Sequence, residues 1–443
     1  MRVALRDHLH SFWNTYRAET IVFLIVFVAH ALFAVATRSR FGEHVFVSHA
    51  DAFYFYYQSA LNLLHHGTLS IALQPPFFPD AYHTPLYSIL IASLLALRLP
   101  LLGVILFQNI LIALTAVLIY RIGITLFSSR PIAFFGALAA SLEPMNFYWG
   151  NLLMSDNLFT LLCIAGFYLF LKKRYGSFAL IMGLATLTRP LALYFFIPFI
   201  LFLPLREFFD DRGRIAYARI GKTVVTMIIL FTIVVMPWLI RNKIEFNTVG
   251  LSTASWYELY TIVGASFAKA EHIAYPPAPV IAAGLEMTRF NFSYDAYYKK
   301  AFLETVLAHP LAYVAFHLSA TWTSFWNHGY DYLVNEVILA KLPAWGTGLR
   351  HSLLAVFVMT GNALWLFIDL LALYSVTDRR SRLWWSFFAV LFALNLFAAG
   401  AINPNAGDMS RYMLPFTPII FLFAAAGAQH ALQRGLGSQK SAA

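Results

Sequence analysis

Apolar residues along the chain gather in long runs, at about 20–36, 85–98, 103–127, 131–148, 154–171, 177–205, 222–240, 309–326, 351–375, 382–400 and 412–431. A helix needs about 20 residues to cross a bilayer, so the longer runs predict spanning helices and the shorter ones broken or partial spans. Arg98 and Pro100 separate 85–98 from its neighbour, which marks 85–98 as a half-span or interfacial helix. The run 177–205 is interrupted at Arg189-Pro190. A residue before proline is pushed out of the helical region, so this run predicts a broken hairpin. Two hydrophilic segments are long, 37–84 and 241–308. The pattern predicts an all-α polytopic membrane protein of about 10–12 transmembrane helices, with amphipathic interfacial helices in two long external loops. Residues 1–443 read as one domain, without internal repeats or a separate soluble domain.

Composition strengthens that picture. The 443 residues are 60% hydrophobic and 12% charged, with a mean hydropathy of +0.67, against roughly 25% charged in soluble domains. The 42 Phe, 23 Tyr and 10 Trp suit interfacial belts and ring-lined grooves. A net charge of +10 comes from Lys and Arg in short loops, the bias expected of cytoplasmic segments, and nothing resembles a nucleic-acid module. Cys163 is the single cysteine, so no internal disulfide forms. The run 20–36 follows Arg2, Arg6 and Arg17 and reads as an uncleaved signal-anchor. These residues, with Lys172 to Arg174, Arg206 to Lys222, Arg379 to Arg382 and Arg434 to Lys440, are expected inside. By parity Asp51, His83, Glu143, Asp156, Arg189, Arg241, Asp408 and Arg411 then come out near the opposite, external face. Ionisable groups that converge at one face of a membrane protein predict a site there.

Each candidate has a structural and a chemical reading. Ser48-His49-Ala50-Asp51 matches a capping box, ahead of an amphipathic helix with Phe53, Tyr56, Tyr57, Ala60, Leu61 and Leu64 on one face. Asp51 either stabilises that helix start or serves as a general base held at the interface. His83, before Pro85, either is inert or donates to an anion at the next helix N-terminus. Glu143 and Asp156 are helix caps or further acids of the site. Arg189 and Arg241 snorkel to the interface or enter the site. Arg411 forms a surface ion pair with Asp408 or holds a phosphate or carboxylate. In the second loop, Tyr294, Tyr297, Tyr298, Ala301, Phe302 and Thr305 predict an amphipathic helix over the site, with YPPAP at 275–279 as a stiff connector. No cluster has metal-ligand spacing, so the cofactor is unknown and a divalent metal stays open. No Gly-rich loop with Lys suits a nucleotide phosphate, which points to a donor already attached to lipid.

Four stretches carry a family resemblance. They are DAFYFYYQSALNLLHHG followed by HTPLYSILIA, then EPMNFYWGNLLMSDNLFTLL, then GLATLTRPLAL with PWLIRN, and finally SRYMLPFTPIIFLFAAAG. In order and spacing they resemble the GT-C glycosyltransferase superfamily, in the branch with protein O-mannosyltransferases and bacterial aminoarabinose transferases. The resemblance implies a polyprenyl-phosphate sugar donor and a lipid, glycan or protein acceptor, in a bacterial inner (cytoplasmic) membrane with the site external. It implies Asp51 as the base, Asp156 or Glu143 as a second acid, and His83 where the family usually has Lys or Arg against the lipid phosphate. Arg189 and Arg411 are further phosphate candidates, with Arg241 and Asp408 in support. The competing readings are a lipid or solute transporter, which the broken hairpin at Arg189 favours, and a non-catalytic scaffold.

Overall fold

The computed structural model of the protein describes residues 2–210, 216–276, 292–326, 328–330, 333, 347–377, 379–400 and 409–441. Among them the regular structure is entirely helical. The first half comprises α1 (Arg2–Phe41), α2 (Ser59–His66), α3 (Leu86–Ala96), α4 (Leu101–Phe127), α5 (Arg130–Ser141), α6 (Pro144–Gly150), α7 (Asp156–Leu171), α8 (Tyr175–Thr188) and α9 (Leu191–Asp210). Then come α10 (Tyr217–Phe246), α11 (Ala254–Glu258), α12 (Ala265–Ala270), α13 (Asp295–Ala308) and α14 (Pro310–Trp326). The last four are α15 (Thr347–Tyr374), α16 (Arg379–Gly400), α17 (Met409–Met413) and α18 (Thr417–Ser441). The protein is an all-α polytopic membrane protein. Five described helices are long and apolar enough to cross a bilayer alone, within α1, α4, α9, α10 and α15. The pair ending in α13 and beginning in α14 would make a sixth, but it bends by 104°. Four shorter apolar helices, α3, α7, α8 and the middle of α16, complete the set.

Local chemistry sets several of these boundaries. Arg98 turns left-handed (φ 60°) after α3, and Pro100 opens α4, so 85–98 stays a short helix. Arg189 is extended (φ −148°) ahead of Pro190, so the run 177–205 splits into α8 and α9. Ser129 begins α5 by accepting from the Ile132 N–H, and its hydroxyl also bonds Gln429 of α18. One boundary departs from the sequence reading. Despite Pro237, α10 runs on to Phe246 and ends at left-handed Asn247. The second loop therefore starts near 247, and Arg241 belongs to a helix. Polar residues 241–243 end the apolar run before the backbone ladder stops.

The bundle packs as α1 on α4, α4 on α5 and α7, α8 on α7 and α10, and α15 and α5 on α18. Close approach depends on glycine. A Cβ at Gly427 of α18 would fall 1.9 Å from the carbonyl oxygen of Leu371 in α15, so only hydrogen fits between these backbones. The main core, including Phe167, Phe170, Phe178, Phe199 and Leu422, fills the middle of the bundle. A second core of Phe46, Tyr56, Tyr87, Ile105, Trp149 and Leu153 fixes the first loop against α3, α4 and α6. That second core holds the polar groups described next.

Candidate active site

The chain leaves α1 through Gly42 (φ 79°) and makes a short 3-10 turn over Glu43–Val47. The Phe46 carbonyl then accepts from the Leu153 N–H at 2.8 Å, tying the first loop to the α6–α7 link. Asp51 opens a π-helical stretch, Asp51–Gln58, that continues as α2. The predicted capping box does not form: Ser48 Oγ donates back to the Val45 carbonyl at 2.9 Å. The wider π turn buries Ala52 and Tyr56 and leaves Tyr54 exposed. It also leaves the Asp51 side chain for a distant partner.

That partner is Arg411, in α17. Its Nη1 donates to Asp51 Oδ2 at 3.0 Å, its Nη2 lies 3.4 Å from Asp156 Oδ2, and its guanidinium covers the Trp149 ring at 5.2 Å. Asp156, at the first turn of α7, also accepts from Arg189 Nη1. The Arg189 guanidinium lies against Tyr412 (5.2 Å) and Phe159 (5.7 Å). Two carboxylates and two guanidiniums thus alternate in one chain of contacts. Exposure separates the acids: Asp156 is 1% exposed and Asp51 29%. Asp51 and Asp156 open helical stretches, Arg189 directly follows α8, and Arg411 lies within the short α17.

Neighbouring polar groups hold this chain in place. Ser155 spends its hydroxyl on Tyr56 OH at 2.8 Å, and Ser410 accepts from the Trp149 indole at 2.8 Å. Burial raises the Asp51 carboxyl, but the Arg411 guanidinium beside it outweighs burial, and the group settles below the usual carboxylate range. Asp51 is therefore ionised at neutral pH. Burial drives His83 down to about 4 despite the pull of Asp51. Its ring, packed between Phe55 (4.7 Å) and Tyr56 (5.0 Å), is neutral. It offers hydrogen bonds but no full charge to a phosphate.

The remaining candidates lie elsewhere. Asp408 falls outside the described residues, and Arg411 is paired with Asp51 and Asp156 as described. Arg241 donates to the Asp80 carbonyl and to Asn242, between the Trp238 and Phe246 rings. It anchors the base of the two loops. Glu143 caps α6, accepting from the Asn146 N–H at 3.1 Å and from Tyr330 OH at 3.0 Å. Burial pushes its carboxyl up to about 7 against these bonds. An acid raised on folding binds its proton more tightly in the native state, so stability falls as pH rises from 4.5 to about 7. Glu143→Gln keeps the acceptor and lacks the charge. Its thermal midpoint relative to wild type is expected to climb across that interval, and a constant difference would contradict the assignment.

The second loop brings a residue that the sequence did not single out. Thr253 N–H donates to the Ala81 carbonyl at 3.1 Å, Ser252 Oγ to the Tyr82 carbonyl, and Tyr82 OH to Glu258 Oε1 at 3.2 Å. These bonds clasp α11 to residues 80–83. Glu258 thereby comes within electrostatic reach of Asp51, Arg189 and Arg411. Burial, with help from Asp51, raises its carboxyl to about 7. The predicted tyrosine helix exists as α13, but Tyr298 is buried on Tyr260 (ring centroids 5.0 Å apart), so its face packs on the second loop itself. Of the connector at 275–279, positions 277–279 lie outside the described residues. Among the described residues no group of three or more His, Cys, Asp or Glu side chains is arranged to hold a metal ion.

No protein-family model and no curated protein matches the chain. Among solved structures, ArnT from Cupriavidus metallidurans, bound to undecaprenyl phosphate, is similar at 13% identity and a TM-score of 0.40. The match covers 91% of this chain and 78% of that one. A likeness at that level leaves function to the chemistry of the site.

Proposed function

We propose that the protein is a single-domain integral-membrane glycosyltransferase of the GT-C kind, moving a sugar from a polyprenyl-phosphate donor to an acceptor hydroxyl at the external face. The observation that carries this reading is the half-open Asp51 carboxylate on a buried Arg411 whose other side is fixed by Asp156. A phosphate-linked sugar has a good leaving group. The enzyme then needs a base for the acceptor proton and a cation for the departing phosphate. Asp51 takes the proton as the acceptor oxygen bonds to the anomeric carbon. The bond from that carbon to the phosphate oxygen breaks, and Arg411 holds the phosphate that leaves.

In this structure Arg411 spends both its Nη groups on carboxylates, so the donor phosphate competes with Asp51 for it. Exchange removes the nearest cation from Asp51, and burial then raises the carboxyl. The base becomes stronger when the donor is seated. Arg189, fixed to Asp156 between two rings, supports the clamp from behind. A transporter would carry ionisable groups along a path through the bilayer, whereas these four gather in one cluster. Mass spectrometry of lipids and glycans from cells with and without the gene is the test. One glycoform is expected to disappear with the protein and return with wild type but not with Asp51→Asn. Unchanged profiles alongside altered uptake or export of a solute would favour transport.

A further inference from the structure

We propose that Glu258 determines acceptor specificity, selecting a neutral sugar hydroxyl over a phosphate-bearing acceptor; this rests on the glycosyltransferase reading above. Glu258 comes from the second loop and is held at the catalytic end of the bundle by the clasp with residues 80–83. One of its oxygens accepts from Tyr82 OH at 3.2 Å. Among the described residues no other hydrogen bond engages its carboxyl, and Glu258 is partly exposed. The carboxyl therefore has an oxygen left for a ligand.

The groups around it share one character. The Tyr82 ring stacks on Phe55 (4.8 Å) and meets the Tyr257 ring edge-on at 5.6 Å. Next to it is the neutral His83 ring. The charges that reach Glu258 are Asp51, Arg189 and Arg411, and both guanidiniums are already opposed by Asp51 and Asp156. Lys299 stands over Trp256 at 5.3 Å, but it is exposed, where water and salt screen its charge.

This side of the site thus offers a carboxyl, a phenol, an imidazole and ring faces. Such a wall hydrogen-bonds hydroxyls and packs on the apolar face of a sugar ring. An anionic acceptor would add a further negative charge beside the donor phosphate and Asp51, where Arg189 and Arg411 are already opposed by carboxylates and Arg241 is engaged by the Asp80 carbonyl and Asn242. Uncompensated charge of that kind is costly where water is excluded. The donor side takes a phosphate, and the acceptor side takes a neutral polyol.

The test is saturation-transfer NMR on the full-length protein in nanodiscs, using methyl hexosides and neutral disaccharides against glycerol 3-phosphate. Wild type is expected to bind the neutral glycosides and not the phosphate. Glu258→Ala should weaken glycoside binding by about tenfold, the loss expected of one hydrogen bond to a charged or strongly polar group. Glu258→Gln, which keeps an acceptor for Tyr82 and a donor for the ligand, should restore most of it. Dodecyl phosphate binding in the same samples reports the donor side and should be unchanged in both variants. Preferential binding of glycerol 3-phosphate, no glycoside binding in wild type, or equal glycoside binding by Glu258→Ala would each overturn the assignment. Loss of dodecyl phosphate binding in Arg411→Ala with glycoside binding intact supports it, because the two sides then act separately. Wild type failing to bind dodecyl phosphate would instead count against the glycosyltransferase reading.

Discussion

Asp51→Asn is expected to lower sugar transfer by a factor on the order of 10²–10⁴, the usual contribution of a positioned base, while binding a polyprenyl phosphate more tightly than wild type. The second half of that expectation comes from the ion chain. Arg411 Nη1 is engaged by Asp51 Oδ2 at 3.0 Å, so an incoming phosphate must displace a charge-assisted hydrogen bond before it can form its own. Asparagine keeps the shape and loses the charge, and the competition disappears. A gain of about tenfold in affinity corresponds to ~1.4 kcal/mol, at the lower edge of what a hydrogen bond to a charged group contributes. Stability should change little, since Asp51 is 29% exposed and Arg411 keeps Asp156. Titrating a polyprenyl phosphate into both proteins in nanodiscs decides it: weaker binding by the variant would refute the exchange of partners. Arg411→Lys complements this, because lysine keeps the charge without the two-pronged geometry that reaches both carboxylates.

Much of this arrangement was legible in the sequence where the cause was local. Arg189 before Pro190 breaks a helix through a steric clash between adjacent residues, and the structure breaks there. Arg98 and Pro100 end one apolar run and start another for equally short-range reasons. The π-helical entry at Asp51 was not legible, because Ser48 has a local choice between capping forward and bonding back to Val45, and the spacing fits either. The partner of Arg411 was not legible either. The described bonds of Arg411 run to Asp51 across 360 positions and to Asp156 across 255. No periodicity encodes such a contact; only the packing of α7, α17 and the first loop does. Glu258 had still less signal, one acid among several in the second loop, and becomes notable only when Tyr82 is seen to hold it.

Asp156 and Asp51 both touch Arg411, but their removal is expected to have different consequences. Asp156 is 1% exposed and lies between Arg189, 15% exposed, and Arg411, 5% exposed. Asp156→Ala would leave two guanidiniums facing each other with one negative charge, Asp51, remaining on Arg411 alone. Breaking a buried ion pair from one side typically costs about 3–5 kcal/mol, so this variant should lose most of its thermal stability or fail to accumulate. Arg189→Leu by itself should be milder, since Asp156 retains Arg411 and the leucine can pack against Phe159 and Tyr412. Combining Asp156→Ala with Arg189→Leu should recover much of the loss, because the uncompensated charge goes with the arginine and Asp51 still neutralises Arg411. A double-mutant cycle of unfolding midpoints, which isolates the coupling between contacting residues, measures this directly. A strongly positive coupling places the Asp156–Arg189 pair in the framework that presents Arg411. If Asp156→Ala is as stable as wild type, the charges are solvated, and the proposed clamp lacks its rigid framework.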